Sequence, residues 1–175
     1  VTPDKKQLVY TDSTKGEIGF VDIQNPVCPV GLGTVSVGGE PTSLAVFGAS
    51  VLVVVNTSES YAAPSGKLVC VNRRTHAIEA EYDLGGQPDS IALAPDRKRA
   101  VILLENERDE DFNNGIIPQN ATGEVLIVTF NKNPKHHTIT SVDLSSVAAA
   151  AYAGTDLEPE FVDINRDNKA VVSFQ

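Results

Sequence analysis

Five acids, Glu105, Glu107, Asp109, Glu110 and Asp111, fall within seven residues of one another, and Arg108 offsets only part of their charge. Clustered carboxylates beside Asn and carbonyl oxygens suit a hard divalent cation, Ca2+ above all, which takes six to eight oxygen ligands in flexible geometry. The window lacks the Asp-x-Asp-x-Asp-Gly spacing of an EF-hand, so ligands would have to converge from separate segments; otherwise the loop is simply a solvated acidic surface. Other chemistry is thinly represented. His136 and His137 are adjacent, which points them to opposite faces of a strand, and His76 stands alone, so all three read as surface histidines. No Gly-x-Ser-x-Gly elbow, phosphate loop or His-Glu-x-x-His motif occurs. Cys28 and Cys70 match no metal or redox spacing and read as two independent thiols.

The elements that could bring acids together are strands. Helical periodicity is nearly absent, and short apolar runs bounded by Gly, Pro, Asn and Asp recur: Leu8 to Tyr10, Ile18 to Ile23, Leu44 to Phe47, Val51 to Val55, Leu68 to Val71, Ile91 to Ala94, Val101 to Leu104, Val125 to Phe130, Phe161 to Ile164 and Ala170 to Phe174. The fold class is therefore all-β. Val51-Leu52-Val53-Val54-Val55 is apolar at every position, and such a strand must be covered on both faces. The segment from Ser145 to Gly154 reads as a short inserted helix with a Ser N-cap and a terminal Gly.

A repeat organises these strands. Gly38-Gly39-Glu40-Pro41-Thr42-Ser43-Leu44 aligns with Gly85-Gly86-Gln87-Pro88-Asp89-Ser90-Ile91, and a third copy follows at Leu157-Glu158-Pro159-Glu160-Phe161. Each copy continues into a turn and a second strand, and third strands open at Gly16-Glu17, Gly66-Lys67 and Gly123-Glu124. Four strands in a unit of ~40 to 50 residues is the signature of a β-propeller blade. The expected blades are 1–40, 41–87, 88–158 and 159–175, the first and last incomplete: about two and a half blades, a segment of a longer polypeptide. Propellers close with ~4 to 8 blades, so the open faces call for the remaining blades of the same polypeptide or for a partner subunit.

In this architecture the loops Asn56 to Ser65 and Glu105 to Thr122 emerge beside the crossovers at Glu40-Pro41, Gln87-Pro88 and Asp156 to Glu160. Positions recurring from blade to blade then converge on the mouth of the central channel. Glu105, Glu107, Glu158 and Glu160 would approach that mouth from successive blades, together with Glu40, the acid of the first complete crossover, whereas Gln87 replaces the acid in the second. Pro41, Pro88 and Pro159 should begin equivalent innermost strands, where a residue without an N–H is admissible. Val51 to Val55, Val101 to Leu104 and Ala170 to Phe174 should be second strands, largely buried.

The Gly-Gly-x-Pro, strand, Pro-Asp, strand pattern resembles the YVTN-type propellers of secreted and surface-layer proteins. Leu104-Glu105-Asn106-Glu107 and Asp156-Leu157-Glu158-Pro159-Glu160 look like motifs of the choice-of-anchor I proteins, relatives of mesenchyme-specific cell-surface glycoproteins, and that likeness implies Glu105, Glu107, Glu158 and Glu160, with Glu40, as the expected metal ligands. The resemblance spans nearly the whole chain and implies an extracellular or cell-surface protein. Some members of that family are labelled alkaline phosphatases, which gives a second reading: part of a metal-dependent phosphoesterase whose carboxylates hold ions that polarise a phosphoryl group. The first reading is a non-catalytic binding or scaffolding module, with Ca2+ as a structural ion.

Charge and length bound both readings. With 14 Lys and Arg against 23 Asp and Glu, the net charge of -9 disfavours nucleic acid and anionic membranes as partners and favours cations. No apolar run approaches the ~18 residues of a membrane helix, so membrane insertion is not expected. The sequons Asn56-Thr57-Ser58 and Asn120-Ala121-Thr122 both fall in the long loops, a placement compatible with secretion.

Overall fold

A computed structural model describes residues 1–109, 111–119 and 122–175, so Glu110 of the acidic window and the Asn120-Ala121 pair of the second sequon lie outside the described residues. In chain order the strands are β1 (Gln7–Asp12), β2 (Glu17–Asp22), β3 (Val30–Ser36), β4 (Glu40–Phe47), β5 (Ser50–Asn56), β6 (Gly66–Asn72), β7 (Ile78–Asp83), β8 (Pro88–Leu93), β9 (Arg99–Leu104), β10 (Glu124–Asn133), β11 (His136–Ser141), β12 (Pro159–Ile164) and β13 (Ala170–Phe174), with the short helix α1 (Ser145–Ala150) before β12. Among the described residues they form four antiparallel sheets, β1-β2-β3, β4-β5-β6-β7, β8-β9-β10-β11 and β12-β13, each meandering outward from its first strand. This is an all-β, partial β-propeller.

The seams between sheets explain the uninterrupted apolar runs. Val51, Val53 and Val55 of β5 pack with Val9, Ile18, Phe20 and Val37 of the first sheet and its crossover. Leu52 and Val54 turn the other way, together with their register partners Cys70 and Leu68 on β6, against Ile91, Ile102, Leu104 and Phe130 of the third sheet. Strand β9 repeats the division, since Val101 and Leu103 join Val125 and Val162 in a third cluster. A two-residue period with both faces buried thus reads as continuous hydrophobicity. Strand β13 departs from the expectation for second strands: Val171 is 73 % exposed, because none of the described sheets covers the outward face of β12 and β13. Cys28 is exposed and Cys70 buried, neither in a disulfide, and burial pushes the Cys70 thiol up to about 11.

Pro41, Pro88 and Pro159 do occupy equivalent places. Each begins or nearly begins an innermost strand, and each is followed by one residue that the ladder skips: the register shifts between Pro41 and Ser43, between Pro88 and Ser90, and between Pro159 and Phe161. These bulges leave Thr42, Asp89 and Glu160 outside the pairing. Hydroxyls stitch the inner strands together. Thr42 Oγ1 donates to the Pro88 carbonyl at 2.9 Å, while Ser43 and Ser90 accept from the Ile91 and Val162 amides, each at 3.3 Å. At the opposite end, Arg73 ties the second sheet to the first through Gln7 Oε1 (3.1 Å) and Asp4 Oδ2 (3.0 Å).

The third strands open on glycine because the next crossover presses on them. A Cβ on Gly66 would lie 2.1 Å from Pro88 Cδ, and one on Gly123 2.4 Å from Pro159 Cδ, whereas one on Gly31 would meet nothing within 4 Å. Gly66→Ala and Gly123→Ala are therefore expected to destabilise the full-length protein by ~1 to 3 kcal/mol, and Gly31→Ala by less than ~0.5. Urea titration of the three variants checks the ranking.

The inserted helix is shorter than its sequence suggests. It covers Ser145–Ala150, and its N-cap is Leu144 rather than a serine; the Asp143 carboxylate accepts from the Ser145 amide at 2.9 Å, which holds the Asp143 pKa below its usual value. Gly154 lies close beneath it, where a Cβ would strike the Ala148 carbonyl.

Candidate functional site

The same three columns of residues line one end of the stack. Glu40 pairs with Asn56 where β4 begins and β5 ends. In the third sheet the Glu105 amide donates to the Gln87 carbonyl at 2.8 Å, and in the fourth the Gln175 amide donates to the Glu158 carbonyl at 2.9 Å. The residue before each proline (Glu40, Gln87, Glu158), the bulged residue after it (Thr42, Asp89, Glu160) and the residue at or just past the end of the second strand (Asn56, Glu105, Gln175) therefore recur on successive sheets. Convergence follows from the repeat alone.

The loop after β9 is fixed to this rim from within. Asn106, 5 % exposed and at φ +51°, accepts the Gln87 amide at 2.9 Å on Oδ1 and donates from Nδ2 to the Thr122 carbonyl at 3.4 Å. Asparagine suits that site because it tolerates the left-handed backbone and offers both a donor and an acceptor. Further along the loop, the Arg108 amide donates to Glu158 Oε1 at 2.9 Å and its guanidinium to Glu158 Oε2. Asp156 Oδ2 lies 3.8 Å from the same guanidinium nitrogen and has no hydrogen bond among the described residues.

The acids consequently divide into two groups. Glu158, 2 % exposed, is engaged by Arg108; burial still raises its pKa, against the lowering effect of the Arg108 amide and guanidinium. Glu105, Glu160, Glu107 and Glu40 remain around Asp89, which the sequence reading did not single out. Glu105 is pushed up to about 8, first by burial and then by the charges of Asp89, Glu160, Glu107 and Glu158. Asp89 is raised to about 6 by burial and by Glu160, Glu107 and Glu40. Glu107 also accepts from Gln87 Nε2 at 3.3 Å. Asp109 does not belong to this group: its carboxylate accepts the Asp111 and Phe112 amides of its own turn, at 3.0 and 3.2 Å.

The signal that could have found Asp89 was already in the alignment of the repeats, where it stands in the column of Thr42 and Glu160. Among the described residues no group of three His, Cys, Asp or Glu is arranged to hold a metal ion as the side chains stand. Cation binding would have to draw Glu105, Asp89 and Glu160 together. The histidines are at the other end of the strands. His76 stacks on Phe20 with ring centroids 4.1 Å apart, and His137 meets the Tyr82 ring edge-on at 4.3 Å while bonding the Pro134 carbonyl.

Meandering sheets stacked through apolar seams, with one end of every innermost strand converging on a shared rim, define a segment of a β-propeller. The chain matches the choice-of-anchor I domain over residues 2–175 and belongs to that family, a class of cell-surface-associated, propeller-like modules. Its fold is similar to hydrazine synthase of Kuenenia stuttgartiensis (11% identity, 98% of this chain and 47% of that one, TM-score 0.68). It is also similar to a protein from Lactobacillus plantarum (10% identity, 100% and 49%, TM-score 0.66) and to a putative 6-phosphogluconolactonase from Bacteroides uniformis (13% identity, 98% and 48%, TM-score 0.63). The chain thus spans about half the length of these structures. No curated protein matches it in sequence.

Proposed function

We propose that the chain is part of an extracellular, cell-surface propeller that serves as a binding or scaffolding module, and that the acidic rim captures a divalent cation, Ca2+ by the chemistry of its ligands. The observation behind the cation is the mutual approach of Asp89, Glu105, Glu107 and Glu160 from adjoining sheets, whose charges add to the effect of burial in raising the pKa values of Glu105 and Asp89. Carboxylates that repel one another lose that repulsion to a bound cation, and all of these ligands are oxygens. Glu40 stands at the edge of the set, and Glu158 is its least available member because Arg108 already neutralises it. Exposed Phe161 and Val171 on one outer sheet, and Tyr10 and Val30 on the other, support coverage of those faces by further blades of the same polypeptide or by a partner subunit.

Calorimetry of the full-length protein with and without calcium tests the cation. A bound ion at about 100 times its Kd should stabilise the fold by ~2.7 kcal/mol, and Glu105→Gln or Glu160→Gln should remove most of that gain. A wild-type melting temperature indifferent to calcium would end this reading. Equal gains in wild type and both variants would move the ion elsewhere.

A further inference from the structure

Beside the acidic rim, between the second and third sheets, lies a polar hollow of about 240 Å³ walled by Glu40, Asn56, Gln87, Glu107, Ser60 and Tyr61. It adjoins a second hollow of about 160 Å³, which shares Ser60 and Tyr61 and adds Asp109, Phe112 and Gln119. Tyr61 is the ridge between them, 46 % exposed, and Phe112 stands 63 % exposed beyond it.

The donor and acceptor inventory of these walls is mixed. Asn56 Oδ1 is taken by the Ser58 amide at 2.9 Å, which leaves the Nδ2 donor to the hollow. Gln87, 8 % exposed, gives Nε2 to Glu107 and keeps Oε1 as an acceptor. Glu40 supplies a carboxylate and Ser60 a hydroxyl. A metal ion has no use for amide donors, whereas a sugar presents hydroxyls that both donate and accept, together with an apolar C–H face that stacks on an aromatic ring. Concave walls with a few convergent polar groups and aromatic surface are also the general form of a small-molecule site.

The wall is built before any ligand arrives. Across the loop after β5, Thr57 donates its amide to the Ser65 carbonyl at 3.0 Å, the Thr57 and Ser65 hydroxyls meet at 2.9 Å, and Ser58 Oγ accepts the Ser65 amide at 2.9 Å. The Ala63 amide closes the tip on the Ser60 carbonyl at 3.0 Å. Such a loop loses little freedom on binding.

We infer that this pair of hollows is a saccharide-binding site, with Asn56, Gln87, Glu40 and Glu107 bonding the hydroxyls of one sugar unit and Tyr61 stacking on its ring. Phe112 extends the aromatic surface toward a second unit. The site shares Glu107 and Glu40 with the edge of the acidic rim but contains none of Asp89, Glu105 and Glu160, so the cation and the sugar are separated by testing for the sugar with calcium removed.

Saturation-transfer NMR on the full-length protein in EDTA tests it, with the methyl glycosides of glucose, galactose, mannose and N-acetylglucosamine, and with cellobiose and chitobiose, as probes. At least one probe should receive saturation at millimolar concentration, binding about tenfold more weakly to Tyr61→Ala and unchanged to Tyr152→Ala, whose ring is fully exposed just after α1 and lines neither hollow. Silence from every probe, equal binding by Tyr61→Ala, or binding that appears only when calcium is restored would overturn the inference. So would a glycan on Asn56 in the natural protein, since Asn56-Thr57-Ser58 is a sequon and its glycan would fill the hollow.

Discussion

A Leu103→Asp variant of the full-length protein is expected to lose cooperative folding, and Val53→Asp to do the same at the neighbouring seam. Both side chains are fully buried, Leu103 between the third and fourth sheets and Val53 between the first and second. A carboxylate at either place loses its hydration and gains no partner, a penalty of several kcal/mol even after partial relaxation. Whole domains are stable by only ~5 to 15 kcal/mol, so a loss above ~4 kcal/mol leaves little. Near-ultraviolet circular dichroism and urea titration read the outcome; a wild-type transition in either variant would mean that the seams tolerate water. Val171→Asp reads the coverage of the outer sheet: Val171 is 73 % exposed among the described residues, and if a further blade or a partner subunit packs there, the full-length variant should be destabilised as well.

The second large effect is a pH dependence opposite to that of ordinary acid unfolding. Glu105 titrates near 8 in the folded protein against a reference value of 4.5, so the folded state holds its proton more tightly than the unfolded chain does. Its contribution to stability is fully present below pH 4.5, falls progressively as pH rises to about 8, and is gone above that. Asp89 adds a smaller loss between 3.8 and about 6. Glu105 is only half-buried, so solvent screening reduces the effect to something on the order of 2 kcal/mol between pH 5 and 8. Glu105→Gln, which keeps the shape without the charge, should therefore be more stable than wild type at pH 8 and similar to it at pH 5. The measurement is thermal unfolding in EDTA across that range; parallel pH profiles for the two proteins would show that Glu105 titrates normally.

Which parts of this arrangement could be read from the chain follows from where each strand sits. Val51 to Val55 announced two covered faces because both of its neighbours are present, and the alternation of its side chains between two seams produced the continuous run. Strand β3 was not among the expected runs: it carries Gly31 and Gly33, lies at the outer edge and is exposed almost throughout, so neither propensity nor alternation marks it. Ala170 to Phe174 was legible as a strand but not in its burial, which depends on a neighbour rather than on its own residues. At the rim, the acidic window pointed to Glu105 and the third repeat copy to Glu160, but neither could foresee that Arg108, inside the same loop as the acids, would engage Glu158, a contact made across 50 residues of chain. Asp89 was missed for another reason: its importance lies in its column, not in any local motif.

The bulge after each proline has a consequence for how such proteins diversify. Because the skipped residue belongs neither to a ladder nor to an apolar seam, its identity can change while the backbone around it stays as it is. Three neighbouring sheets here bear Thr42, Asp89 and Glu160 at that one position, a hydroxyl and two acids on the same framework. The rim behaves as a set of interchangeable letters mounted on a fixed frame, and rewriting Asp89 and Glu160 as threonine would remove two of its five acids and leave Glu40, Glu105 and Glu107. A lineage built by duplicating such sheets could acquire new ligand preferences there one letter at a time, without passing through an unfolded ancestor.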